Sequence, residues 1–185
     1  MTREEEPKRK YKIIYADPPW SYNDKMIGHQ GAETHYRTQG KDWIADLLRG
    51  GALADKDSVL FLWAVSPQLP EAIEVMKAWG FKYITVAFCW SKHHKSGKKV
   101  KNLGRWTMGN VELCLLGKKG KPQRIVKNIR QLVEAERTTH SKKPDDVRKR
   151  IVELMGDLPR IELFAREKTP GWDVWGNEVK SDINL

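Results

Sequence analysis

The strongest restriction on the fold of this chain comes from eight residues, SVLFLWAV, at positions 58–65. All but the serine are apolar, without alternating polar residues, so both faces of the predicted strand must be covered by other elements. Strands of this kind are typical of parallel sheets that have helices on both faces. We therefore expect residues 58–65 to form a central strand of an α/β sheet.

Predicted helices and strands alternate on both sides of this run. Strand segments are rich in β-branched and aromatic residues, and helical segments carry apolar residues at helical spacing and end at glycine or begin at proline. The further predicted strands are 11–16, 81–90, 111–117 and 160–165, and the predicted helices are 41–53, 67–79 and one opened by Pro144. This order indicates an α/β fold.

The 185 residues show no repeat or linker, which predicts one domain over residues 1–185, with 1–10 disordered. The N-terminus lacks the apolar core of a signal peptide, and no segment approaches the roughly 18 apolar residues of a membrane span. Cys89 and Cys114 lie in apolar runs without zinc-binding spacing, so we expect reduced thiols and no metal site. A cytoplasmic protein is the resulting expectation.

A formal net charge of +10 makes nucleic acid the leading class of partner, although a solvated basic surface would give the same total. The positive charge concentrates in a predicted loop at 91–109, which also contains Trp106. Its candidate contacts with nucleic acid are Lys92, His93, His94, Lys95, Lys98, Lys99, Lys101 and Arg105. A loop that only keeps the protein in solution is the alternative interpretation.

The first predicted strand ends in Asp17-Pro18-Pro19-Trp20, and α/β sheets bind their ligands at the carboxyl ends of strands. Because the prolines have no N–H, the carbonyls and the Asp17 carboxylate form a pocket of acceptors beside the indole of Trp20. The 6-amino group of adenine fits two such acceptors with its ring stacked on Trp20. Methyl transfer to that nitrogen would need only positioning and electrostatics. A plain Asp-Pro-Pro turn is the alternative.

Five stretches resemble, in this order, the DPPW-type or MTA-type N6-adenine methyltransferases: ADPPW, LFLWAVSPQLPEAIEVMKAWGF, GNVELCLLGKKGKP, RTTHSKKPD and RIELFAREKTPGWDVWGNE. The family includes the catalytic subunit of the messenger-RNA adenine methylation complex and phage and bacterial DNA adenine methylases. The similarity spans about residues 11–178 and favours the phage and bacterial branch. It implies a Rossmann-like class I methyltransferase sheet with helices on both faces in permuted order, catalytic half first and cofactor half last.

The resemblance also implies roles for single residues. The catalytic set that it implies is Asp17, Pro18, Pro19 and Trp20. Tyr36 falls in the first loop that gates the family's site, and Tyr22 is a further candidate contact with nucleic acid.

The implied cofactor is S-adenosyl-L-methionine. Its expected contacts are Asp17, Lys143, Glu162, Leu163, Phe164, Arg166, Asn177 and Glu178. Glu178 departs from the glutamine that relatives often carry, and a carboxylate accepts from the adenosine without donating. Without the resemblance, the last block would be a core strand followed by packing tryptophans.

The leading hypothesis is therefore a site-specific adenine methyltransferase acting on DNA, with S-adenosyl-L-methionine as methyl donor. The same reaction on RNA is one alternative, and a catalytically silent nucleic-acid-binding subunit is another. Asp17, Lys143 and Asn177 are all present, which favours an active enzyme. DNA is favoured because small members of the family without long extensions or zinc fingers resemble the phage and bacterial enzymes. A homodimer is expected by analogy alone.

Overall fold

The structure of the protein is a computed structural model that describes residues 9–20, 40–102, 106–138 and 142–185. The described strands are β1 (Tyr11–Ala16), β2 (Ala54–Ala64), β3 (Lys82–His93), β4 (Val111–Lys119), β5 (Leu132–Glu136), β6 (Arg160–Leu163) and β7 (Asp173–Trp175). The described α-helices are α1 (Lys41–Leu47), α2 (Leu69–Ala78) and α3 (Asp145–Met155), and a 3₁₀ turn, Ser66–Gln68, leads into α2. The candidate residues Tyr22, Tyr36 and Arg105 lie outside the described residues.

The seven strands form one mixed sheet in the order β5-β3-β4-β2-β1-β6-β7. Strand β1 pairs in parallel with β2 and β6, and β3–β5 and β6–β7 are also parallel. Among the described strands, β4 alone runs against its neighbours, β2 and β3. The sheet confirms the predicted α/β class and is consistent with a class I methyltransferase-like fold.

Helices cover both faces of the sheet, as the continuous apolar run in β2 predicted. On one face Leu60 and Leu62 pack in a core with residues of α1 and α2. On the other face Phe61 and Trp63 pack in a second core with residues of α3. The alternation of side chains along β2 therefore supplies both cores, and burial of this apolar surface supplies the main driving force for folding.

Local signals placed several element boundaries correctly. Strand β1 has the predicted limits, and α2 ends before Gly80, whose φ of 81° suits a helix stop. Helix α1 is shorter than the predicted 41–53, because its regular part ends at Leu47 ahead of Gly50 and Gly51, both with φ of 75°. Strand β2 then starts at Ala54, four residues before its predicted start.

The predicted basic loop at 91–109 is wrong at its beginning. Strand β3 continues to His93, and residues 94–98 make a tight turn in which His94 N–H donates to the Lys98 carbonyl at 2.8 Å. The chain then returns along β3, with Val100 N–H donating to the Lys92 carbonyl at 3.0 Å. Lys92 is therefore a buried strand residue, 9% exposed, where an exposed loop residue was expected.

Two short strands were not recognised in the sequence. Strand β5 lies in a segment to which no type was assigned, and β7 has three residues, too few for a period-2 pattern to be distinguished. Among the described helices, none combines the length and the apolar character that crossing a membrane requires.

Candidate active site

The carboxyl ends of β1, β2, β6 and β7 meet at one edge of the sheet, because these four strands run in the same direction. Asp17 directly follows β1, between its neighbours β2 and β6, and its N–H donates to the Leu163 carbonyl at 3.5 Å. This is the predicted position of the acid. It places Asp17 next to the segment that follows β6, with β7 on the far side of β6.

Hydrogen bonds fix the Asp-Pro-Pro-Trp turn to the core. Trp20 N–H donates to the Pro18 carbonyl at 2.9 Å, and its indole Nε1–H donates to the Trp63 carbonyl at 2.9 Å. The Trp63 indole in turn donates to the Tyr15 hydroxyl at 2.7 Å. The turn is consequently tied to both β1 and β2.

This anchoring limits which groups of the turn are accessible to a ligand. Only 5% of Trp20 is exposed, so its ring holds the turn in place, and its expected stacking on a base stays a prediction. Pro18 is buried and its carbonyl keeps one further lone pair, while Pro19 is half-buried. The two prolines contribute no N–H to this turn, and the pairing of its acceptors with an amino group stays a prediction.

A buried ion-pair network extends from Asp17 across the sheet. It consists of Asp17, Lys143, Glu112 and Lys92. Lys143 Nζ donates to Asp17 Oδ2 at 2.7 Å and lies 3.3 Å from Glu112 Oε2, while Lys92 Nζ donates to Glu112 Oε1. The alternating charges link β1, β3, β4 and the segment that leads into α3. All four side chains are less than a quarter exposed.

Aromatic rings shield the two ammonium groups of this network. Lys143 Nζ lies 5.5 Å from the Trp63 ring centroid, and Lys92 Nζ lies 4.9 Å from that of Trp90. Both distances fall within the range of cation–π attraction. The aromatic surfaces replace part of the water that an exposed lysine would keep.

The network shifts the protonation equilibria of its members. Burial raises the pKa of Asp17 above its ordinary value and outweighs the opposing effect of Lys143. Burial alone would lower the pKa of Lys143, but Asp17 and Glu112 together hold it above its usual value. For Glu112, Lys143 and Lys92 outweigh burial and hold the pKa below its usual value. The pKa shifts of the two carboxylates therefore have opposite directions, upward for Asp17 and downward for Glu112.

Glu112 was missed as a site residue in the sequence. An acid at the start of the apolar strand VELCLLG must find a partner if it is buried, and this pattern was the available signal. Which cations it meets depends on strand pairing across β3 and β4. The sequence does not contain that information locally.

A second buried ion pair uses the carboxylate of Glu162, one of the expected cofactor contacts. Arg148 donates from Nε and Nη2 to the two oxygens of Glu162, each at 2.7 Å, and from Nη1 to Asp145 at 2.6 Å. Burial raises the pKa of Glu162, with Arg148 opposing it. The side chain of Glu162 therefore ties β6 to α3, and that of Leu163 is fully buried in the core. The expected contacts of these two residues with the cofactor stay a prediction.

Phe164 directly follows β6 and has an unusual backbone conformation. Its φ is 61°, in the left-handed region that bulky residues rarely adopt, and such strain is concentrated at functional sites. Its ring packs edge-on against Trp175 at 5.4 Å between centroids and lies 6.4 Å from the half-exposed Trp43. These three rings form an aromatic cluster beside the ends of β6 and β7.

Polar side chains of the predicted cofactor set stand next to this cluster. Arg166 lies 3.5 Å from Glu178, and both of these residues and Asn177 are exposed. At Gly176 a Cβ would come within 2.2 Å of the Ala165 carbonyl, so only glycine permits this close approach of the two segments. The approach brings Asn177 and Glu178 beside Arg166.

These residues fit S-adenosyl-L-methionine by their chemistry. Aromatic rings suit an adenine, and amide, guanidinium and carboxylate groups suit ribose hydroxyls. The Asp17–Lys143 pair offers both charges that an amino acid moiety requires. All of these groups lie at the same edge of the sheet.

The expected nucleic-acid contacts divide into two groups. Lys92 is buried on Glu112, and the exposed Lys99 is already bonded to Glu134 and to Ser91 Oγ. His93 is half-buried in β3. Four further residues, His94, Lys95, Lys98 and Lys101, are exposed and form no ion pair with any described residue. The basic surface at this position is smaller than the sequence suggested.

Within the described residues, no group of three or more His, Cys, Asp or Glu side chains is placed to hold a metal ion. Cys89 is half-buried and Cys114 is buried, and both are free thiols.

Comparison with known proteins agrees with this site. The profile of the MT-A70 family matches residues 11–178. The chain is 36% identical over 194 aligned positions to the Type II methyltransferase M.MunI of a Mycoplasma species, covering 94% of this chain and 79% of that protein.

Eukaryotic relatives are more distant and much longer. The N(6)-adenosine-methyltransferase MT-A70-like protein of Drosophila melanogaster and the N(6)-adenosine-methyltransferase catalytic subunit METTL3 of Homo sapiens are each 27% identical over 175 positions. Both alignments cover 92% of this chain but only 27% and 28% of the two relatives. The profile match over residues 11–178 and the 36% identity to the bacterial relative show that the chain belongs to the MT-A70 family.

Proposed function

We propose that this protein transfers a methyl group from S-adenosyl-L-methionine to the 6-amino nitrogen of adenine in DNA. One observation carries the proposal: the Asp17 carboxylate stands at the carboxyl end of β1 beside two prolines that donate no hydrogen bond. Membership of the MT-A70 family and the 36% identity to a bacterial Type II methyltransferase support it.

Asp17 has the acceptor capacity that the reaction needs. Lys143 bonds Oδ2, and no described residue donates to Oδ1, which leaves that oxygen for a donor from the substrate. With one amino N–H on Oδ1 and the other on a proline carbonyl, the nitrogen lone pair is drawn out of conjugation with the base. The amino proton that must leave as the new bond forms passes toward Oδ1, and the raised pKa of Asp17 favours its acceptance.

The cofactor supplies a methyl group activated on a positively charged sulfur. Phe164, Arg166, Asn177 and Glu178 hold its nucleoside part, and Asp17 and Lys143 hold its amino acid part. Pre-formed positions of this kind account for most of the catalysis in a transfer without covalent enzyme intermediates. Glu162 and Leu163 contribute by fixing the position of the backbone that leads into Phe164.

We infer that the strand order is a permutation of the class I methyltransferase sheet. The antiparallel β4 lies between β2 and β3, and the strands that carry the proposed cofactor residues, β6 and β7, come last in the chain. The catalytic turn comes first, after β1. We further infer that residues 1–185 act as one methyltransferase domain.

DNA is the favoured polymer, with His94, Lys95, Lys98 and Lys101 as its contacts near the site. Tyr22, Tyr36 and Arg105 remain predicted contacts. RNA is the second candidate because the names of the eukaryotic relatives specify adenosine methylation. A cytoplasmic location in a bacterial or phage-infected cell and a homodimer complete the proposal, supported by the bacterial relative and by analogy.

Methylation assays on an Asp17→Asn variant test the chemistry. At saturating cofactor we expect a loss of about 10²–10⁴-fold in the rate of methyl transfer to adenine-containing duplex DNA, because an amide cannot accept the amino proton. Asp157→Asn, a change at an exposed acid paired with Arg160, is the matched control. Equal activity of the two variants would show that Asp17 does not carry the reaction.

Competition between matched DNA and RNA oligonucleotides identifies the polymer. Single-molecule sequencing of plasmid DNA from expressing cells then gives the modified base and its sequence context. Absence of N6-methyladenine in DNA together with methylated RNA would transfer the proposal to RNA.

A further inference from the structure

A second basic segment, residues 118–130, lies outside the site described above. It carries six lysines and arginines, and no acidic residue occurs between Glu112 and Glu134. With the net charge of the whole protein at +10, this segment holds more than half of the excess. Because so much of the positive charge lies in this segment, its position bears on where a polyanion binds the protein.

The cations recur at every third residue. They are Lys118, Lys121, Arg124, Lys127 and Arg130, here called the cationic ridge, and all five are exposed. Val126 and Ile129 between them are half-buried, and Ile129 packs against the core under α3. Residues 121–131 form neither helix nor strand. An extended backbone with about three residues per turn places every third side chain on the same side. This periodicity agrees with the exposure of all five ridge cations and the partial burial of Val126 and Ile129.

The backbone of this segment is fixed to the body of the protein at several points. The anchoring hydrogen bonds are Lys121 N–H to Asp57 Oδ1 (2.7 Å), Ile125 N–H to the Leu154 carbonyl (2.9 Å), and Arg150 Nη1 to the carbonyls of Arg130 and Leu132 (2.8 Å each). A fixed backbone loses less conformational entropy when it binds a partner. The ridge is therefore a pre-organised surface.

The ridge cations are not neutralised within the structure. Among the described residues none of the five forms an ion pair, whereas Lys92 and Lys99 of the first basic run are bonded to Glu112 and Glu134. Neighbouring cations of one sign repel each other, and a bound polyanion removes that repulsion while releasing its counterions.

The ridge begins away from the catalytic edge. Strand β4 runs against β1 and β2, and Lys119 near its end pairs with Ser58 early in β2, whereas Asp17 follows the end of β1. From there the ridge passes beside the end of α3, where Ile125 is bonded to Leu154. A polymer held on the ridge touches the protein at a place distinct from the base in the pocket.

We propose that the cationic ridge binds the phosphodiester backbone of nucleic acid independently of sequence, away from the target adenine. The inference rests on the proposed function only in naming DNA as the polymer. Phosphate contacts of this type supply affinity and strong salt dependence but no base recognition.

A salt series on a triple variant tests the ridge. The variant Arg124→Gln/Lys127→Gln/Arg130→Gln is compared with Lys41→Gln/Arg49→Gln/Lys77→Gln, which removes the same charge from α1, α2 and the residues between them. Binding of a fluorescent 20-base-pair duplex is measured without cofactor at several salt concentrations. At about 0.9 per phosphate contact, the slope of log affinity against log salt should fall by about 2–3 in the ridge variant and by less than 1 in the control.

Equal slopes in the two triple variants would overturn the proposal, because net charge alone would then explain the binding. Circular dichroism checks the fold, and the single change Lys127→Gln, with an expected slope change of about 1, replaces the triple variant if that one does not fold. A wild-type protein that binds with the full salt slope but methylates no nucleic acid would sink the proposed function while the ridge stands.

Discussion

Two basic runs of the chain, residues 92–101 and 118–130, have similar composition, but the first has cations paired with acids and one of them buried, whereas the five ridge cations of the second are exposed. The first begins as the end of β3, so alternate side chains point into the protein, and Lys92 meets Glu112 of the neighbouring strand. The second follows β4 as an irregular segment whose ridge cations face solvent. Local density of charge therefore does not tell which lysines meet a polyanion; the direction of each side chain relative to the sheet does.

The two runs also differ in what their cations stabilise. Lys92 offsets the cost of burying Glu112 and leaves Lys143 available to Asp17, so it acts on the active site from a distance. Ridge cations have no such internal partner among the described residues. Substitutions in the first run are therefore expected to change the stability of the protein and the chemistry of the site. Substitutions in the second run are expected to change the affinity for nucleic acid.

The largest effect is expected from Lys92→Met. Removing this partner leaves Glu112 as an incompletely paired buried carboxylate, and breaking such a pair costs about 3–5 kcal/mol of unfolding free energy. Urea denaturation measures the loss. The control Lys95→Met, at the exposed turn of the same run, should leave the urea midpoint unchanged.

A double variant sharpens this result. Lys92→Met/Glu112→Gln removes the charge that Lys92 neutralises, so much of the lost stability should return. If Lys92→Met and Lys95→Met unfold at the same urea concentration, burial of Lys92 contributes nothing and the contrast between the runs fails.

A smaller effect, on the pH dependence of activity, is expected from Lys143→Met. Asp17 must be ionised to accept the amino proton, so activity falls as pH drops through its pKa. Lys143 lowers that pKa against the effect of burial, and its removal raises the pKa further. The acid limb of kcat/KM should therefore move to higher pH. At a fixed pH on that limb, kcat/KM should fall about tenfold for each pH unit by which the limb moves.

Lys142→Met is the matched control for this change, since Lys142 pairs with Asp145 and Glu167 at the surface. Its acid limb should coincide with that of the wild type. An acid limb that stays in place in Lys143→Met would mean that Asp17 is not the group whose ionisation limits the rate.

The smallest effect is expected from Lys99→Gln. Its partner Glu134 is more than half exposed, and ion pairs between exposed side chains contribute little because water and salt screen them. The urea midpoint should stay close to that of the wild type, in contrast to Lys92→Met. A loss as large as that of Lys92→Met would show that exposure does not separate the two pairs.

Several parts of the site were predictable from local sequence. The strand 11–16, the acid at its carboxyl end and the two prolines form a contiguous signal, and the structure has Asp17 at the predicted edge. The family resemblance named Lys143, Phe164, Arg166 and Asn177, and the structure brings the segments that carry them to the same edge. It also named Glu162 and Leu163; the Glu162 side chain bonds Arg148, that of Leu163 packs in the core, and their contacts with the cofactor stay a prediction.

Local sequence was enough to predict the α/β pattern, the end of α2 before Gly80 and the Asp-Pro-Pro-Trp turn after β1, because each depends on residues adjacent in the chain. Tertiary structure alone decided that Lys92 is buried, that Glu112 joins the network of Asp17, and that β7 exists. These features depend on pairing between strands far apart in sequence, which sets the direction of every side chain. The same basic composition was therefore placed inside the protein at 92 and on its surface at 118–130.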